Sequence, residues 1–173
     1  MSFRDPNGLI ESIDQDKDKI IRLLSELIRI PSDNPPGNTS EIAQYVQSYL
    51  RGFGIESKLY EPNKGNVNVV ASLGSGSPHL ILNGHLDQFP SEVGEKWSVP
   101  PYSGEVKDQF IWGRGAGDMK GGLASLIHCF CVSSRLDLPG KLTLTCTSDE
   151  ETGGRWGALW LLDNIPELLG DGV

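Results

Sequence analysis

Apolar and polar residues follow two rhythms along this chain, one of helical period and one of strand period. Between residues 9 and 30 the apolar positions Ile13, Ile20, Leu23, Leu24, Leu27 and Ile28 form a helical stripe on a charged background, and Pro31 ends it. The SDNPPGN loop at 32–38 is turn chemistry. Asn38 with Glu41 three residues later predicts a capping box opening a second helix. That helix carries Ile42, Tyr45, Val46, Tyr49 and Leu50, with Gly54 where a C-terminal glycine belongs. Strand-like runs come next at 55–60, 66–73 and 79–83, with a GSGSP turn between the last two. Residues 86–102 read as a long polar loop, and 103–112 as a hairpin turning at Asp108-Gln109. A helix from about residue 119 places Met119, Leu123, Leu126, Ile127 and Phe130 on one face. KLTLTCT at 141–147 alternates, with Leu142, Leu144 and Cys146 to one side, and a last helix over about 155–169 is interrupted near Pro166. Strands alternating with helices predict an α/β fold, a mostly parallel sheet flanked by helices. In such sheets ligands gather outside the carboxyl ends of strands, which would bring residues after 83 and after 147 to one edge.

Composition narrows the function. A chain of 173 residues is one domain's worth, and a net charge of −8 argues against nucleic acid and against an anionic membrane surface. No apolar run is long enough to span a membrane, and the N-terminus MSFRDPNGLIESIDQDKDK has no apolar run after its charges, so no secretory leader is expected. Cys129, Cys131 and Cys146 are odd in number and read as reduced core thiols, which places the protein in the cytoplasm. Cys129 and Cys131 stand two apart on a predicted helix, on different faces, and are not expected to share a metal.

The chemistry concentrates in three stretches. LILNGHLDQFP at 80–90 is a buried strand running into His85 and Asp87, which point to the same side in extended chain. A carboxylate beside an imidazole can hold one ring N–H, fix the tautomer and make the ring a better metal ligand. WGRGAGDMKGG carries Asp118; its glycines do not fit G-x-G-x-x-G, and Lys120 is followed by glycine, so neither nucleotide motif is present and no nucleotide cofactor is expected. The glycines instead read as a tight loop delivering Asp118 to a helix start. TCTSDEETGG carries Glu150 and Glu151, which being adjacent point differently and suit two jobs, one as metal ligand and one in proton transfer. Taken singly each has an ordinary reading: a turn cap for Asp87, a helix cap for Asp118, a solvated helix start for the glutamates. His79 and His128 read as strand edge and helix filler, Trp156 and Trp160 as packing, and Asp171 as a turn between glycines. Together the three stretches point to a metal-dependent hydrolase.

GHLD after a buried strand, then GRGAGDMKGG, then TSDEETGG, resembles the M20 family of zinc metallopeptidases and amidohydrolases, which includes acetylornithine deacetylase, succinyl-diaminopimelate desuccinylase and aminoacylase. The resemblance runs from LIRIPSDNPPGN to the last helix, with Leu86 standing where many members have threonine. It implies His85 as a ligand of one zinc, Asp87 as the residue orienting that histidine, Asp118 as a carboxylate bridging two metals, Glu150 as general base and Glu151 as a ligand of the second metal. It also implies a cis peptide at Asp118-Met119. Two divalent ions are implied, zinc first, with cobalt or manganese as substitutes. The implied reaction is hydrolysis of an amide bond in an N-acyl amino acid or small dipeptide-like substrate, and the GDMKGG form looks closer to the deacetylase and desuccinylase branch. Family members are about twice this length, so residues 1–173 are expected to be the N-terminal part of the catalytic domain. A dimerisation (lid) domain, which implies a homodimer, and the C-terminal part with the remaining ligands would lie elsewhere, leaving this chain alone weakly metallated and inactive. The alternative is a truncated, non-catalytic module that binds metal or a partner.

Overall fold

The structure, a computed structural model, describes residues 6–92 and 94–171. Residues 1–5, where the stretch read for a leader begins, lie outside the described residues, as does Gly172, one of the two glycines flanking Asp171.

The first predicted helix is two: α1 (Pro6–Gln15) and α2 (Lys17–Arg29). Asp16 separates them because its side chain is turned inward. Its carboxylate pairs with Lys19 and lies 3.3 Å from Nε2 of the buried His128, while its N–H closes a turn on Ile13 O. The next helix, α3, spans Ser40–Gly52. The expected capping box does not form: Asn38 accepts the Ser40 N–H, and Thr39 turns its hydroxyl to the carbonyls of Gly65 and Val67. Gly54 does close the helix with φ of +74°, as Ile55 N–H bonds back to Leu50 O.

Among the described residues six strands arise from the period-two runs: β1 (Ser57–Asn63), β2 (Asn66–Gly74), β3 (His79–His85), the short β4 (Glu105–Lys107) and β5 (Phe110–Trp112), and β6 (Lys141–Thr147). β4 and β5 form the expected hairpin, with Asp108 and Gln109 both at positive φ in its two-residue turn. The other four make one sheet in the order β1-β2-β6-β3. This sheet is mixed, a correction to the mostly parallel expectation: β1–β2 and β2–β6 are antiparallel and only β6–β3 is parallel. Short connections explain it. Lys64-Gly65 and the GSGSP turn each reverse the chain, so β3 opposes β2; only the link from β3 to β6 is long enough to hold a helical crossover.

That crossover helix, α4 (Gly121–Ser133), packs with α2 and α3 on one face of the sheet. Leu23, Leu27, Val46, Leu50, Val69, Ala71, Leu123, Ile127, Phe130, Leu144 and Cys146 form the main core there. Cys131 is buried as expected, but Cys129 is exposed, a correction to its reading as a core thiol. The opposite face is covered by the short α5 (Ala158–Asn164) and a turn at Pro166–Leu168, which bury Ile81, Leu161 and Leu168; Trp160 packs beside Tyr60. Trp156 precedes this helix. The helix–sheet–helix layering is the α/β arrangement the sequence predicts, with unequal layers.

β3 and β6 are parallel neighbours, with His85 opposite Thr147, so the segments leaving the carboxyl ends of both strands emerge at the same edge of the sheet.

Candidate metal centre

His85 is the last residue of β3 and is 5 % exposed. Its Nδ1 lies 2.9 Å from the backbone carbonyl of Asp87 and 3.5 Å from Asp87 Oδ1. A carbonyl can only accept, so Nδ1 carries the hydrogen and Nε2 is the nitrogen presented to the site. Nε2 faces Asp118 Oδ1 at 3.1 Å and Glu150 Oε2 at 3.6 Å. Burial opposes a charge on this ring, but the hydrogen bonds and charge of Asp87, with Glu150 nearby, push its pKa up to about 9.

Asp87 is fully buried. Burial alone would raise its pKa; contacts from His85, Asn34 and the Glu151 N–H outweigh it and hold the carboxyl below its ordinary value. Oδ1 accepts the Glu150 N–H at 3.2 Å and Oδ2 the Glu151 N–H at 3.1 Å. One carboxylate therefore orients the histidine and seats both glutamates. The glutamates open a single 3-10 turn, Glu150–Thr152, preceded by Asp149 at φ of +68°. Burial first, then the negative charge of Asp118, raises the pKa of Glu151. Asp118 stands on the bend before α4, its side chain 78 % exposed and directed at His85, and the Asp118–Met119 peptide is cis. Gly84 lets β3 pass close to this bend, since a Cβ there would stand 3.1 Å from Met119 Cε.

The five residues singled out from the sequence are thus brought to one edge. Ligand atoms of His85, Glu150 and Glu151 lie within 4.8 Å of one another, and Asp118 joins through His85. The oxygens of Asp118, Glu150 and Glu151 beside the His85 imidazole make a negative oxygen-and-nitrogen donor set, whose chemistry fits zinc, cobalt or manganese. Beside it opens a cleft of about 400 Å³ lined by Phe89, Trp97, Arg114, Asp118 and Glu151. Arg114 is held there by Glu95 and lies over the Trp97 ring at 5.2 Å. The remaining candidates stay structural. His79 bonds Thr143 through Nε2, and Asp171 accepts from the Ser77 hydroxyl and the His79 N–H, away from the centre.

Sequence reading missed a strap at residues 30–34. It pairs with the H-x-D segment: Asn34 N–H bonds Gln88 O, Gln88 N–H bonds Ser32 O, and Ser32 Oγ bonds Leu86 O. Lys120, which is no P-loop lysine, is fully buried with its Nζ on Ile30 O at 2.9 Å. Burial pushes its pKa down to about 7 despite Asp33 nearby. Neither Asn34 nor Lys120 carries a local signal, because their side-chain partners lie 53 to 118 residues away.

The family model for peptidase family M20/M25/M40 matches residues 81–172, which includes all five residues of the centre. The chain belongs to this family. It is 38 % identical over 152 residues to succinyl-diaminopimelate desuccinylase of Wolinella succinogenes, covering 87 % of this chain and 39 % of that one. Human carnosine dipeptidase 1 shares the fold, with a TM-score of 0.72 at 22 % identity over 91 % of this chain and 37 % of its own. YXEP of Bacillus subtilis, a dinuclear metal-binding peptidase of the M20 family, superposes with a TM-score of 0.62 at 17 % identity, covering 88 % of this chain and 40 % of its own. The chain thus spans about two-fifths of the length of these proteins.

Proposed function

We propose that a polypeptide carrying this chain at the length of its relatives hydrolyses the amide bond of an N-acyl amino acid or small peptide, as a deacylase, desuccinylase or exopeptidase. The observation behind this reading is the histidine whose Nδ1–H is held by Asp87 while Nε2 faces the Asp118 and Glu150 carboxylates. His85, Asp118 and Glu151 would hold two divalent ions, zinc first. Ions held there would supply Lewis acidity toward the scissile carbonyl and lower the pKa of a water. Glu150, its N–H held by Asp87, keeps its carboxylate 59 % exposed and 3.6 Å from His85 Nε2, at the edge of the candidate centre. It takes a proton from the attacking water and returns it to the departing amine nitrogen. Asp87 keeps the His85 ring in one tautomer throughout.

The remaining ligands, the lid domain and a homodimer contact through it belong in this proposal to the rest of the longer polypeptide, and residues 1–173 alone are inactive. Among the described residues no helix is long and apolar enough to cross a membrane. The free thiols of Cys129, Cys131 and Cys146 fit a reducing compartment such as the cytoplasm. The test is a zinc- or cobalt-supplemented assay of the longer polypeptide against N-succinyl, N-acetyl and dipeptide substrates. Release of free amine that stops with a chelator supports the reading; no turnover of any of the three overturns it. Tight binding of two zinc ions by residues 1–173 alone would contradict the incomplete site.

A further inference from the structure

We infer that Asn34 is a positioning residue that fixes the Asp87 carboxylate and, through it, the spacing of Glu150 and Glu151. Asn34 is 4 % exposed, and its side-chain amide has two N–H groups. One reaches Asp87 Oδ2 at 2.8 Å and the other Thr152 Oγ1 at 3.0 Å. Asp87 is the anchor of the first end of the Glu150–Thr152 turn, and Thr152 is its last residue. Asn34 therefore grips that turn at both ends, one of them through the buried carboxylate that also orients His85. Rotation of the Asp87 carboxylate about Cβ–Cγ would break the Asn34 bond together with both glutamate N–H bonds.

The amide is itself held from behind. Asn34 N–H bonds Gln88 O at 2.9 Å, which ties its backbone to the segment just after Asp87. Gly37, at φ of +86°, leaves room for the Asn34 side chain: a Cβ there would sit 3.0 Å from Asn34 Oδ1. Asp or Glu at position 34 would face a buried carboxylate with no hydrogen to offer, and serine is too short to reach both partners. The consequence for catalysis rests on the metal-centre reading, but the positioning itself is measurable without metal.

The experiment is amide hydrogen exchange by NMR on the metal-free 173-residue chain. It compares wild type, Asn34→Ala, Asn34→Leu and Ser32→Ala, with the Leu144 amide as the reference for global opening. Asn34→Leu keeps the volume and removes the donors; Ser32→Ala loosens the same strap without touching Asp87. The Glu150 and Glu151 amides are expected to exchange roughly tenfold faster or more, relative to Leu144, in both Asn34 variants and to stay within about threefold in Ser32→Ala. Wild-type protection in Asn34→Leu, or equal acceleration in Ser32→Ala, overturns the inference; if Asn34→Ala fails to fold, Asn34→Leu decides alone. A cobalt titration of the wild-type sample tests the metal centre separately, since failure to bind cobalt would sink that reading and leave the exchange result standing.

Discussion

At the scale of single residues, the site turns on which proton sits where. In the metal-free chain the raised pKa of His85, about 9, means the folded state holds its proton more tightly than the unfolded chain does. That stabilisation is full below the unfolded value near 6.5 and is lost as pH rises through about 9. Lys120 works in the opposite sense, its stabilising share growing as pH rises from about 7 toward 10.5. The His85 share is isolated by comparing wild type with His85→Gln: the gap in melting temperature is expected to be widest below about pH 6.5 and to close as pH rises past about 9. A gap that widens with pH would contradict the assignment. Metal competes for the same nitrogen, so zinc affinity is expected to climb by about tenfold per pH unit over this window. In the proposed mechanism Glu150 is the base, and Glu150→Gln in the longer polypeptide should keep metal within a few-fold while lowering turnover by about 10²–10⁴-fold. Retained turnover would remove it as the base. His85, Asp118 and the glutamates were legible in sequence because their motifs are local; Asn34 and Lys120 were not, because only the fold brings them to their partners.

At the scale of elements, the centre depends on two strand ends and two bends. β6 and the β4–β5 hairpin were readable from alternation and turn residues alone, since both the pattern and the turn are local. The break at Asp16 and the direction of β2 relative to β6 were not. The first goes with the burial of the Asp16 side chain, paired with Lys19 and 3.3 Å from His128, and the second depends on which neighbour each strand finds. The bend after β6 is the tightest constraint. Gly157 N–H closes on Gly154 O, and a Cβ at Gly157 would fall 1.8 Å from Ser148 O, just ahead of the glutamate pair. Gly157→Ala is therefore expected to lower the melting temperature sharply, by an amount in the range of about 2–4 kcal/mol of stability, and to perturb the Glu150 and Glu151 resonances first. A variant as stable as wild type would show that this bend yields freely.

At the scale of the whole molecule, the sheet serves as a frame whose one parallel pair sets the site. The apolar face under α2, α3 and α4 fixes β3 and β6, and the carboxyl edge of that pair collects four carboxylates around one imidazole. The α/β class and the family were both legible at this scale, because alternating strands and helices and three spaced motifs survive without tertiary knowledge. Substrate was not, since nothing in the residues that line the cleft, Phe89, Trp97 and Arg114 among them, singles out one acyl group. The decisive measurement is cobalt binding to the 173-residue chain, read by its visible absorption, for wild type and His85→Ala. Wild type is expected to give a cobalt spectrum with nitrogen and oxygen ligation, and His85→Ala an affinity at least about tenfold weaker. No cobalt binding in wild type, or binding untouched by the loss of His85, would contradict a metal centre built on this histidine.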